Sequence, residues 1–127
     1  MWKIEFDPRT KLLTLRLREH VGGVEMRALG VAHAEALEAT GGDSFAMLAD
    51  LRGMHPLDAE AVGLFWDIKR VAASVAGFRG CAVIVDSATM FMQQRRTSLA
   101  DLPGVSAREL VTMDEAEARR FITRSHQ

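Results

Sequence analysis

Two apolar runs of this chain end in an aspartate. Asp50 follows Phe45 to Ala49, and Asp86 follows Gly80 to Val85. Arg52 and His55 come just after the first, and Asp58 opens the segment beyond them. Parallel strands deliver their carboxyl ends to one crevice, so acids and bases placed there can grip a ligand or a partner. The expected site is therefore a polar rim of Asp50, Arg52, His55, Asp58 and Asp86. The competing expectation is structural: the aspartates cap loops or helix N-termini, and Arg52 pairs with one of them. A metal needs three or four converging ligands. Asp50, His55 and Asp86 are the available set, but His20, His33, His55 and His126 are scattered, so no metal is assigned. His33 is expected to be a satisfied core residue. Ser44, Ser74, Ser87, Ser98 and Ser106 lack the strand-to-helix elbow of a nucleophile. Gly22-Gly23 and Gly41-Gly42 fit helix boundaries and match no phosphate-cradling pattern. No catalytic residue and no cofactor are assigned.

A second cluster is apolar. Met90-Phe91-Met92-Gln93-Gln94-Arg95-Arg96 crowds three large flexible residues into the first turns of a helix, with two arginines behind them. They cover too much of the helix circumference to face inward together, and methionine suits adaptable contacts. Phe65 and Trp66 pose the same problem on the preceding helix. The expectation is an apolar patch of Phe65, Trp66, Met90, Phe91 and Met92, with Arg95 and Arg96 able to meet phosphate. Such a patch on a small protein marks a protein or membrane contact. Ordinary packing beside a solvated basic face is the alternative.

The elements that must hold these residues are read from periodicity. Trp2, Ile4 and Phe6 alternate with Lys3 and Glu5, and Leu13, Leu15 and Leu17 alternate with Thr14, Arg16 and Arg18, across the turn Asp7-Pro8-Arg9-Thr10. That is a β-hairpin. A helix is expected over 24–39, closed by Gly41-Gly42. A strand buried on both faces follows over 45–51. The longest helix is expected over 57–76, with Ala61, Leu64, Phe65, Ile68, Val71, Ala72 and Val75 as its apolar stripe. Then come a strand over 80–85, a helix over 88–100 capped by Ser87 and stopped at Leu102-Pro103-Gly104, and a strand over 108–111. A terminal helix over 114–123 opens on a Thr112/Glu115 or Asp114/Glu117 capping box, with 124–127 frayed. Strands alternating with helices give an α/β fold. It is expected to be one domain over 1–127: a single mixed, mostly parallel five-stranded sheet, made of a hairpin, three αβ units and a C-terminal helix.

The bulk numbers bound the rest. At 127 residues, 48% hydrophobic and 26% charged, the chain is an ordinary globular one. A net charge of −1 disfavours sequence-independent nucleic-acid binding. The lone Cys81 lies in an apolar run and reads as a small buried hydrophobe. With no secretory pattern at Met1-Trp2-Lys3-Ile4-Glu5 and no apolar run long enough to span a bilayer, a reducing, cytoplasmic setting is expected.

Three stretches carry a family resemblance. Ala46-Met47-Leu48-Ala49-Asp50-Leu51-Arg52-Gly53 is similar to the third strand of the STAS, SpoIIAA-like anti-sigma-factor antagonists. Cys81 to Asp86 resembles their fourth strand, and Val111 to Phe121 their last strand and terminal helix. The likeness spans nearly the whole chain and reaches distantly to lipid-binding CRAL-TRIO domains. In the antagonists, a serine or threonine just after the third strand is phosphorylated and the added charge expels the partner. The matching stretch, His55-Pro56-Leu57-Asp58-Ala59-Glu60-Ala61, has neither residue type, and a fixed Glu60 cannot act as a reversible switch. The resemblance therefore implies a non-enzymatic interaction module without the phosphoswitch. It would act on another protein or on itself as a homodimer. The alternative is a binder of a small hydrophobic or lipid-like ligand, with possible membrane association.

Overall fold

A computed structural model describes residues 1–99 and 109–125. The order is β1 (Trp2–Asp7), β2 (Leu12–Leu17), α1 (Gly23–Ala39), β3 (Phe45–Asp50), α2 (Ala59–Ala73), β4 (Phe78–Ile84), α3 (Ala88–Arg96), β5 (Glu109–Thr112) and α4 (Glu115–Ser125). The five strands form one sheet in the order β1-β2-β3-β4-β5. β1 and β2 pair antiparallel and the remaining neighbours pair parallel.

This topology fixes the layers. Each crossover from β2 onward steps one strand in the same direction, and right-handed crossovers then put every connecting helix on one face. That face carries the main core. Leu13, Leu15, Leu17, Phe45, Met47, Ala49, Cys81 and Val83 point into it, under Met26 and Leu29 of α1, Phe65 of α2 and Met90 of α3. Among the described residues the opposite face is covered by α4, through Ala118 and Ile122 over Ala46, Leu48, Ala82 and Ile84. β3 is thus buried on both sides, as its continuous apolar run requires.

Local chemistry explains the boundaries. Asp7 accepts a hydrogen bond from the Arg9 amide at 2.8 Å, which closes the hairpin turn. Ser87 caps α3 by accepting from the Met90 amide at 3.2 Å. Asp114 caps α4 by accepting from the amides of Ala116 and Glu117, while its own amide donates to the Thr112 hydroxyl at 3.0 Å, so only half of the Asp114/Glu117 box forms. Gly77 is required by close approach: a Cβ there would lie 2.2 Å from the Asp43 carbonyl oxygen.

Some expectations need correction. α1, at 17 residues, is longer than α2, at 15. Asp58 is the N-cap of α2, which leaves Leu57 buried but outside the helix, and Ser74 closes the other end. Val71 is half exposed, because α2 is turned so that its buried stripe is Ala61, Phe65, Ile68, Lys69 and Ala72. α4 continues to Ser125, so 124 and 125 are helical. α3 ends at Arg96 with Thr97 as its C-cap, four residues short of the expected end at 100. The stop at Leu102-Pro103-Gly104 and residues Ser106, Arg108 and His126 lie outside the described residues.

Candidate functional site

Asp50 and Asp86 do share the carboxyl rim of the sheet, Asp50 buried and Asp86 exposed. Asp50 is 3% exposed. Arg18, just past β2, donates to its carboxylate at 2.8 Å and to its carbonyl at 2.9 Å. Arg52 donates twice more, at 3.0 and 2.9 Å, and its backbone amide makes a further bond at 3.2 Å. The other arm of Arg52 reaches Glu115 in the first turn of α4, at 2.8 Å, and Glu115 also holds Arg119 at 3.0 Å. Burial alone would raise the Asp50 pKa; the hydrogen bonds from Arg52 and Arg18 win and hold it well below the usual carboxylate range. The Asp50 carboxylate raises the Arg52 pKa in return.

Asp86 accepts from the Gly53 amide at 2.8 Å, and so ties the loop after β3 to the end of β4. Gly53 has φ +78°, where a side chain would be strained. The same loop is stitched to Glu19, whose amide donates to the Gly53 carbonyl at 3.0 Å while the His55 amide donates to the Glu19 carbonyl at 2.8 Å. Glu19 is held at φ +62°, an uncommon conformation for a non-glycine. Asp58 spends its carboxylate on the Ala61 amide at 2.8 Å. The rim brings together Asp50, Arg52 and Asp86 as expected, and it adds Arg18 and Glu115. It uses the main chain of His55 and sets Asp58 apart as a helix cap.

The apolar cluster divides. Phe65 and Met90 are core residues, 1% and 0% exposed, and they leave the expected surface patch. The 3.6-residue period turns them under the helices while their neighbours stay outside. Trp66 and Phe91 are half-buried and Met92 is 57% exposed. Each aromatic is topped by an arginine: Arg70 lies 5.5 Å from the Trp66 ring centre and Arg95 lies 5.9 Å from that of Phe91. Phe91, Met92, Arg95 and Arg96 line an open groove of about 440 Å³.

Sequence reasoning missed an ion pair beneath that surface. The side chains of Lys69 and Glu109 are 0% exposed, with Nζ and Oε1 3.2 Å apart. Lys69 also donates to Gln94 of α3 at 3.3 Å and lies 5.8 and 5.5 Å from the Phe65 and Trp66 ring centres. Burial raises the Glu109 pKa, and Lys69 pulls the other way. Cys81, paired with Glu109 across β4 and β5, has its thiol pushed up by burial. The available signal was Lys69 at four residues from Phe65 and three from Ala72, on the inner face of α2. Phe65, Lys69, Met90 and Gln94 are all buried at the seam between α2 and α3.

His33 is buried on α1 as expected, but its Nε2 has no hydrogen-bond partner among the described residues. Burial lowers its pKa to about 4. No three metal-ligating side chains converge among the described residues. Nor is any described helix long and apolar enough to cross a membrane.

With this geometry in hand, the chain has a SpoIIAA-like α/β fold. It is similar to the crystal structure of an uncharacterised protein from the DUF3478 family with a SpoIIAA-like fold, from Shewanella loihica PV-4. The two superpose with a TM-score of 0.68 at 12% identity, over 96% of this chain and 92% of that one. No protein-family model and no curated protein matches the sequence.

Proposed function

We propose that the chain is a non-enzymatic regulatory module that works by protein–protein contact, with the outer flank of α2 and α3 as its contacting surface. One observation carries this reading. Arg18, Asp50, Arg52 and Glu115 of the rim bond one another, whereas Trp66, Phe91 and Met92 stand at the surface among Arg70, Arg95 and Arg96. Tryptophan and arginine are the residue types that anchor interfaces. The stretch that carries the phosphorylated residue in the antagonists offers Asp58 and Glu60 here, and Asp58 is engaged as a helix cap. The proposed module is therefore constitutive. The test is affinity capture from cells that express the chain, comparing the wild type with Met92→Glu/Arg95→Glu at matched folding by circular dichroism. Loss of specific captured proteins in the variant supports the reading; identical capture by both proteins overturns it.

A second reading, a small hydrophobic or lipid-like ligand taken at a membrane surface, draws on the groove of Phe91, Met92, Arg95 and Arg96. Arginines beside exposed apolar side chains suit a headgroup layer. The buried side chains at the α2–α3 seam direct this reading to the surface groove. Flotation with anionic but not neutral vesicles, lost in Arg95→Glu/Arg96→Glu, supports it; no flotation with either composition removes it.

A further inference from the structure

β1 is an outermost strand of the sheet. Which way its main chain faces follows from its hydrogen bonds. Arg18 N–H donates to the Met1 carbonyl at 2.9 Å, and the Met1 amine donates to the Arg18 carbonyl at 3.3 Å. Met1 and Arg18 are thus a hydrogen-bonded pair, and alternation extends this to Lys3–Arg16, Glu5–Thr14 and Asp7–Leu12. The next strand confirms the parity, because Ala46 N–H donates to the Lys11 carbonyl at 3.0 Å and so puts the odd residues of β2 toward β3. The N–H and C=O groups of Trp2, Ile4 and Phe6 therefore point out of the sheet edge. Among the described residues nothing bonds to them.

Charged side chains are the guard on this edge; a bulge and a proline are not. β1 runs six residues without a bulge in its pairing to β2, and its nearest proline, Pro8, lies beyond its end. On the helix-covered face it shows half-buried Trp2, Ile4 and Phe6, and on the other face Lys3, Glu5 and Asp7. α1 packs over β1, and Gly30 of α1 looks toward Ile68 of α2.

We infer that β1 pairs with β1 of a second copy of this chain, antiparallel and centred on Ile4, joining two sheets into one. The charge pattern selects this register. A two-fold ladder must set outward-facing even residues against outward-facing even residues. Centring on Lys3 sets Lys3 against itself, and centring on Glu5 sets Glu5 against itself. Centring on Ile4 sets Lys3 against the partner's Glu5. It also stacks Trp2 beside the partner's Phe6 and Ile4 beside the partner's Ile4, where cross-strand apolar pairs are stabilising. A ladder of about 20 Å buries less than a standard interface, so the dimer forms in a concentration-dependent way. This surface is separate from the flank of α2 and α3.

Charge swaps test it at exposed positions, where the Lys3 and Glu5 side chains are 66% and 53% exposed. In sedimentation velocity across a concentration series, the wild type shifts from monomer toward dimer. Lys3→Glu and Glu5→Lys each weaken association by at least about tenfold, since each sets like charges face to face. Mixing these two variants restores association, as does combining both substitutions in one chain. Amide exchange at Trp2, Ile4 and Phe6 slows with concentration in the wild type and the double variant, and not in either single variant alone. A monomer at every concentration overturns the inference, and so does a dimer indifferent to Lys3→Glu or a mixture that fails to recover.

Discussion

The molecule holds two ionic networks built on opposite plans. At the rim, Asp50 is surrounded by two guanidiniums that themselves stay about one-third exposed, with side-chain exposures of 30% for Arg18 and 39% for Arg52. Under α2 and α3, Lys69 and Glu109 face each other with no solvent on either side. The rim supplies several hydrogen bonds to one buried charge and lets water serve the rest. The interior pair must cover the desolvation of both ions from its own contacts, helped by Gln94, the two aromatic faces and the Leu99 amide at 3.4 Å. A network of the first kind adds stability by its bonds. One of the second kind is costly to break and cheap to replace whole.

The largest expected effect follows from that asymmetry. Lys69→Met strands Glu109 in the core and should cost about 3–5 kcal/mol in urea unfolding. The double variant Lys69→Met/Glu109→Leu removes both charges and should return to within about 1 kcal/mol of the wild type. A double variant as unstable as Lys69→Met would mean that the pair contributes net stability over apolar packing, and would erase the contrast with the rim.

The interior treats His33 differently, by keeping it neutral. Its folded pKa, about 4, lies below its ordinary 6.5, so the unfolded chain binds the proton more readily between those values. Stability is full above about pH 6.5 and falls as the pH drops toward 4, by about 3 kcal/mol from this residue. Urea midpoints at stepped pH should show the fall, and His33→Leu should flatten it. Asp50 acts in a lower window. Its depressed pKa gives stability that is present above the ordinary carboxylate range and is lost only as the pH falls below it. A wild-type curve already flat between pH 6.5 and 4 would contradict the burial cause assigned to His33.

The rim was legible in the sequence and the interior pair was not, for a physical reason. Asp50 and Asp86 end apolar runs, and strand ends converge by topology, so their placement follows from order alone. The pairing of Asp50 with Arg52 was foreseen as the structural alternative. Arg18 and Glu115 joined it only because β2 lies beside β3 and α4 crosses the face opposite the other helices, which one-dimensional spacing does not encode. Lys69 hid behind hydropathy. A stripe that includes Leu64 and Val71 and one that includes Lys69 differ by a modest rotation of α2, and only contact with Glu109 and Gln94 decides between them. The same rotation placed Phe65 inside and left Trp66 at the surface. The strands themselves and the hairpin were readable because alternation and the run-then-turn rhythm are local.

Asp58 gives the smallest effect and the cleanest control on the rim. Both Asp50 and Asp58 follow from the same stretch of chain and both accept backbone amides, yet only Asp50 also accepts guanidiniums. Asp50→Asn keeps the shape and removes the charge that two arginines share, which should cost about 2 kcal/mol. Asp58→Ala removes one N-cap bond and should cost about 1 kcal/mol, and Asp58→Ser should recover most of it, because a serine hydroxyl caps as well as a carboxylate. Raising the salt concentration should shrink the Asp50→Asn loss, since the arginines are partly exposed, and leave Asp58→Ala nearly unchanged. Equal losses at the two positions, with equal salt response, would mean that Arg18 and Arg52 contribute little beyond what a backbone amide provides, and the rim would then be a set of loop caps rather than a charge network.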